Sequence, residues 1–162
     1  MARVLPTSQA PDDVDAVTDA VLAASRLLVT VSARSIAAVD DTITIPQFRL
    51  LVVLGSEGPQ KLTSVAQALG VNPSTATRMV DRLVTAGLID RQPNPASRRE
   101  LVVALTRRGR TVVSNVTKRR RAQIEQIVGQ MSPTSRRGLV RALSAFAAAG
   151  GESTGNTEIF WV

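Results

Sequence analysis

Leu62-Thr63-Ser64-Val65-Ala66-Gln67-Ala68-Leu69-Gly70-Val71-Asn72-Pro73-Ser74-Thr75-Ala76-Thr77-Arg78-Met79-Val80-Asp81-Arg82-Leu83 contains two helix patterns with a glycine between them. Thr63 is placed to cap a short first helix, Ser64 to Leu69, and Gly70 supplies the left-handed C′ position that ends it. Asn72 caps the second helix, and Pro73 takes its first position, where the missing N–H costs nothing. Ala76, Met79, Val80 and Leu83 then recur at i, i+3, i+4 and i+7 until Gly87 closes the helix. Two short helices joined through a glycine have the layout of a helix-turn-helix. Ala66 is small enough to let the helices approach, and Val65, Leu69, Val71, Ala76 and Met79 form the wedge that sets their crossing. Ser74, Thr75, Thr77, Arg78 and Arg82 lie on the second helix, mostly near its N-terminus, the end such a motif presents to base edges in the major groove. Helical bundles use the same pattern without any nucleic acid, so the next segment has to decide between the two.

After Gly87 the apolar period changes from 3.6 to 2. Leu88 to Arg91 and Glu100 to Leu105 are short strand candidates, joined by Gln92-Pro93-Asn94-Pro95-Ala96-Ser97-Arg98-Arg99. The product is a hairpin with a charged tip, and its place directly after the second helix is that of a wing. Narrow A·T-rich minor grooves attract inserted arginine, which gives Arg98 and Arg99 a target beside the major-groove contact.

The charge distribution agrees with this placement. The chain has 162 residues and a net charge of +7, but residues 71–121 alone carry 12 basic and 3 acidic side chains. Residues 1–60 carry 4 basic and 7 acidic ones. Clustered cations gain free energy by displacing the counterions condensed on nucleic acid, and double-stranded DNA is the expected partner. The run Lys118-Arg119-Arg120-Arg121 lies outside the motif; four consecutive helical residues point around most of the circumference, so it reads as a solvated face.

The flanks are helical. From Asp13 to about Val39, Val14, Val17, Val21, Ala24, Leu28, Val31 and Ala38 form one long apolar stripe, for which a partner subunit and an intramolecular core are both available covers. Thr44 opens a second helix with Gln47 three residues on, a capping box, and the body Phe48 to Leu54 stops at Gly55 to Pro59. Thr106 caps a helix running to about Gly129, and Ser132-Pro133 opens a last one with Leu139, Val140, Leu143 and Phe146 as its apolar positions.

Composition narrows the chemistry. There is no cysteine and no histidine, which removes thiolate zinc sites, disulfides, thiol sensing and the commonest general base. No clustered acid, base or nucleophile of suitable spacing replaces them, so no enzyme, cofactor or metal site is expected. No stretch approaches about 18 uninterrupted apolar residues, and no targeting signal is visible, so the expected location is the cytoplasm without a membrane partner. A membrane-surface reading needs aromatic anchors, which the basic block lacks.

Thr44-Ile45-Pro46-Gln47-Phe48-Arg49, Leu62 to Gly70, Pro73 to Leu83, Ala86-Gly87-Leu88-Ile89, Arg98-Arg99 before the second strand, and Leu105-Thr106 with Gly109 after it resemble the consecutive motifs of the MarR family of transcriptional regulators. The similarity runs from about Asp13 to Ala149. It implies a mainly α fold with a small β-hairpin wing: a winged helix-turn-helix lobe at 44–105, dimerisation helices at 13–43 and 106–149, a flexible leader at 1–12 and a tail at 150–162. The implied homodimer intertwines the first and the last two helices, with Val14, Val17, Val21, Leu28, Leu139, Leu143 and Phe146 at its interface. DNA contacts are implied for Ser74, Thr75, Thr77, Arg78, Arg82, Arg98 and Arg99; Arg99 is the arginine of the family's Asp-x-Arg wing motif, whose aspartate position is Ser97 here. A small anionic or aromatic effector is implied between the dimerisation helices and the lobe, near Arg34, Phe48 and Arg49. The expectation is a sequence-specific regulator, a repressor acting as a homodimer on a pseudopalindromic operator. The alternative is a non-specific nucleoid-associated or RNA-binding protein, distinguished by a small ratio of operator to random-DNA affinity.

Overall fold

In the computed structural model, which describes residues 13–151 with the side chains of Arg98 and Arg99 excepted, the chain forms six helices and three short strands. They are α1 (Val14–Ala37), α2 (Ile45–Glu57), β1 (Gln60–Lys61), α3 (Leu62–Leu69), α4 (Pro73–Thr85), β2 (Ile89–Asn94), β3 (Ser97–Leu105), α5 (Arg107–Gly129) and α6 (Pro133–Ala149). The expected leader, and all but the first two residues of the expected tail, lie outside the described residues.

Five helices start at a side chain that accepts a hydrogen bond from the first turn: Asp13, Thr44, Asn72, Thr106 and Ser132. The α2 cap is a full capping box, in which Gln47 N–H donates to Thr44 Oγ1 at 3.3 Å and Thr44 N–H donates to Gln47 Oε1 at 2.9 Å. The exception is α3, which starts at Leu62 after Lys61, with no side-chain cap. Thr63 is therefore inside the helix rather than at its cap. The cause is β1, which the sequence did not reveal: Gln60 and Lys61 pair antiparallel with Val103 and Val102, so the chain leaves a ladder and turns directly into the helix.

Two further boundaries moved. α2 runs through Gly55 to Glu57, because Gly55 keeps helical backbone and lies against Leu105, while Gly58 at φ +77° makes the turn. The hairpin strands are longer than their apolar alternation, since β2 and β3 stay paired from Ile89↔Leu105 to Asn94↔Ser97, with a register irregularity at Pro93/Asn94. Backbone pairing tolerates the polar residues that hide the strand in the sequence.

The sheet has the order β1-β3-β2, and its inner face closes against α2, α3 and the first turns of α5. Leu50, Leu51, Val65, Val80, Leu83, Leu88, Ile89, Val113 and Val116 are essentially excluded from solvent. Each large apolar side chain so buried contributes roughly 1.5–3 kcal/mol. α1 joins this core only through its last turns, by Val31 and Ile36, with Ser32 and Ser35 buried beside them and their hydroxyls donating to the Leu28 and Val31 carbonyls. The rest of α1 is exposed or half-buried, and α6 buries no residue. By length and composition α1 is apolar enough to cross a membrane. Asp15, Asp19 and Arg26 nevertheless interrupt its apolar run.

The start of α5 is locked onto the end of α4. Thr106 N–H donates to the Leu88 carbonyl at 3.1 Å, Thr106 Oγ1 donates to the Gly87 carbonyl at 2.8 Å, and Arg108 donates to the Ala86 carbonyl at 3.2 Å. A Cβ on Gly109 would lie 2.0 Å from the Leu88 carbonyl oxygen, so only glycine permits this approach. Ala in an open helix gains about 1 kcal/mol over Gly. Here the added methyl meets backbone, and overpacking of this kind costs about 1–3 kcal/mol. Gly109→Ala should accordingly lower the unfolding free energy in urea; a variant as stable as the parent or more so would refute the close approach.

Candidate nucleic-acid interface

Gly70 has φ +65° and ψ +33°, the left-handed turn between α3 and α4, and its N–H donates to the Gln67 carbonyl. Val65, Ala66 and Leu69 of α3 pack against Ala76, Val80 and Leu83 of α4, all buried, with Val71 and Met79 half-buried at the edge of the same cluster. This packing leaves the opposite side of α4 free. Ser74, Arg78 and Arg82 are exposed there at spacings of four, and Thr75 and Thr77 are half-buried beside them.

The cap determines what these groups can offer. Asn72 Oδ1 accepts from the Thr75 N–H and from the Ser74 hydroxyl, both at 2.8 Å, and the Thr77 hydroxyl donates to the Pro73 carbonyl at 2.9 Å. With both hydroxyl protons engaged, Ser74 and Thr77 are left with acceptor lone pairs, suited to the amino groups of adenine or cytosine, and the Thr77 methyl suits thymine. Arg78 and Arg82 supply donors, and among the described residues neither has a carboxylate within ion-pair distance. A guanidinium fork can bond guanine bidentately or a phosphate.

β2 and β3 project beside α4 as a two-stranded ribbon whose tip is Pro95–Ala96, where the Ala96 N–H donates to Asn94 Oδ1 at 3.0 Å. Arg98 and Arg99 follow the tip in β3; their side chains lie outside the described residues. Two ion pairs tie the hairpin to its neighbours, α4 and β1. Arg91 of β2 pairs with Asp81 of α4, and Glu100 of β3 pairs with Lys61 at 2.7 Å and accepts from Asn94 at 3.1 Å. The Lys61 ammonium holds the Glu100 carboxyl below the usual carboxylate range. A carboxyl so lowered keeps its pairing at neutral pH and loses it only as the pH falls through its depressed value. Sequence spacing gave no signal for either pair, because each spans elements that only the tertiary fold brings together.

Other residues singled out from sequence fall elsewhere. Phe48 is 2% exposed in the lobe core, on the same face of α2 as Leu51 and Val52, so it is a packing residue rather than an open crevice wall; Arg34 and Arg49 are exposed. A cavity of about 330 Å³ lies between α2, β3 and α5, with Leu54, Pro59, Leu105, Arg110 and Val113 among its walls, and none of those three residues lines it. On α5, Lys118, Arg119 and Arg121 are exposed and Arg121 pairs with Glu125 at 2.9 Å, while Arg120 is half-buried and burial lowers its pKa. Val14, Val17, Leu28, Leu143 and Phe146 are exposed, and Val21 and Leu139 half-buried. Among the described residues no group of acidic side chains could hold a metal ion.

The MarR family model matches residues 43–101, the lobe from the start of α2 into β3. In sequence, 88 residues are 33% identical to the multiple antibiotic resistance protein MarR of Escherichia coli, over 54% of this chain and 56% of that protein; the chain thus spans about half the length of this curated relative. Among solved structures, RV1404 from Mycobacterium tuberculosis is 61% identical with a TM-score of 0.82, over 90% of this chain and 99% of that one. Bordetella bronchiseptica BpsR, whose DNA binding is regulated by 6-hydroxynicotinic acid, shares the fold at 23% identity and a TM-score of 0.59, over 90% and 98% of the two chains.

The local geometry separates the roles of Asn72 and Gly70. Asn72→Ala removes the α4 cap and should cost about 1 kcal/mol of stability. A side chain at Gly70 meets nothing within 4 Å, so the strain there is purely conformational. Gly70→Ala should therefore destabilise by about 1 kcal/mol or more and Gly70→Asn by less, as thermal unfolding would show, since Asn tolerates the left-handed region.

Proposed function

Because this chain belongs to the MarR family of transcriptional regulators, we propose that it is a sequence-specific repressor that binds a pseudopalindromic operator as a homodimer. One α4 enters each of two major grooves about one helical turn apart. The observation that carries this reading is the exposed face of α4, with Ser74, Arg78 and Arg82 in line and a wing beside it. Ser74, Thr75, Thr77, Arg78 and Arg82 are assigned to the major groove and its phosphates, and Arg98 and Arg99 to the adjacent minor groove.

Segments 13–43 and 106–149 are assigned to dimerisation. Val14, Val17 and Leu28 of α1 and Leu143 and Phe146 of α6 expose apolar surface that a soluble chain covers with a partner. A second copy fits better than a bilayer, because Asp15, Asp19, Arg26 and Arg34 punctuate α1. A charged residue of these types costs about 2.5–3.5 kcal/mol at the centre of a membrane-spanning helix. The site of action is accordingly the cytoplasm. A small anionic or aromatic molecule lodged between these helices and the lobe, near Arg34 and Arg49, lowers DNA affinity by its differential affinity for two lobe spacings. The aromatic acid that regulates BpsR supports that class of effector.

Selection of bound duplexes from a random pool, followed by affinities at fixed salt, tests the reading. Arg78→Ala and Thr75→Ala should each cost about 1–3 kcal/mol and relax sequence preference. Arg99→Ala should weaken binding most where A·T-rich sequence flanks the site. Unchanged affinity in all three would sink the docking, and equal affinity for selected and random DNA would favour a non-specific binder. Leu28→Asp should sediment as monomer or precipitate; a soluble dimer would move the interface elsewhere.

A further inference from the structure

The third strand of the sheet ends at Lys61, opposite Val102. Beyond that pair, β2 and β3 continue as a two-stranded ribbon that carries Arg98 and Arg99 near its tip. A two-stranded ribbon has little stability of its own and no fixed direction. Any use of the tip arginines requires something to set the ribbon's angle relative to α4.

Glu100 sits where the ribbon begins. It is two residues beyond Val102 along β3, which places it on the face of the sheet that Lys61 occupies, at diagonal reach. Its Oε2 receives the Lys61 ammonium from β1 and the Asn94 amide from β2, so one carboxylate oxygen joins all three strands. Lys61 also immediately precedes α3 without serving as a side-chain cap, so its side chain is free for this contact. On the opposite strand, Arg91 is paired with Asp81 of α4. The hairpin is thus tied at its base to α4 by Arg91–Asp81, and at the start of the ribbon to β1, whose last residue leads directly into α3, by Lys61–Glu100. Exposed pairs of this kind add little to folding stability, which leaves geometry as what they supply.

We propose that Lys61 and Glu100 are positioning residues for DNA binding: their ion pair, seconded by Arg91–Asp81, sets the angle of the wing so that its arginines and α4 engage adjacent grooves together. This rests on the DNA-binding reading above. It assigns Lys61 a role inside the protein, although as an exposed cation near the interface it resembles an ordinary phosphate contact.

Charge reversal separates the two. Glu100→Lys raises the net charge, so simple electrostatics makes it bind DNA more tightly. With the clamp broken and the wing misdirected, it should bind a duplex selected by the parent protein about fivefold more weakly or worse, the equivalent of one lost groove contact. Hydroxyl-radical protection should fade at the flanks of the site and persist in its centre. Lys61→Glu with Glu100→Lys restores the pair in reverse and should return affinity to within about twofold of the parent, since the net charge is then unchanged. Hydrogen exchange of the free protein provides a readout without DNA: Glu100→Lys should speed exchange at ribbon amides 92–100 and leave α3 and α4 protected. Equal or tighter binding by Glu100→Lys, no rescue by the double reversal, or unchanged ribbon exchange would each overturn the clamp. A parent protein that selects no sequence would overturn the DNA-binding reading itself, an outcome the exchange experiment keeps separate.

Discussion

The docking of the α5 N-terminus onto the end of α4 is the contact on which the rest of the molecule depends. Thr106 caps α5 and in the same position bonds the Gly87 and Leu88 carbonyls, while Gly109 lets the helix backbone come against Leu88. The α4 helix is thereby joined to a helix of 23 residues whose first turns pack in the lobe core, with no residue buried beyond Val116. Whatever changes the direction of α5 also changes where α4 points.

The lobe and the long helices follow different stability logics. The lobe closes on itself: Leu50, Leu51, Val80, Leu83 and Val116 are fully enclosed without outside help. α6 and the first turns of α1 have apolar side chains that nothing among the described residues buries. Most helical stability in proteins comes from packing of an apolar face, and these faces lack that support among the described residues. The lobe therefore has its own core, and the flanks do not.

Much of the lobe was legible because its signals are local. The Thr44–Gln47 box, Gly70, Asn72-Pro73 and Thr106 each act within one turn of chain, and the structure has each where the spacing predicts. Legibility stopped where a neighbour in space overrode a local preference. Thr63 has a good capping side chain, yet strand pairing at Gln60 and Lys61 starts α3 before it. Phe48 looks like a ligand wall next to Arg49, but it turns into the core. The long apolar stripe of α1 read as continuous, whereas only Val31 to Ile36 meets this chain's own core.

Sequence alone determined the helix-turn-helix, the hairpin after it and the concentration of positive charge over both, because caps, turn glycines and net charge are properties of residues near each other along the chain. It also determined that thiol and imidazole chemistry are absent. Only the tertiary structure decided which apolar faces find partners within the chain, that β1 completes the sheet, and that Lys61–Glu100 and Asp81–Arg91 tie the hairpin to β1 and α4. Those depend on distances between segments 10 to about 40 residues apart, which residue spacing does not encode and packing alone sets.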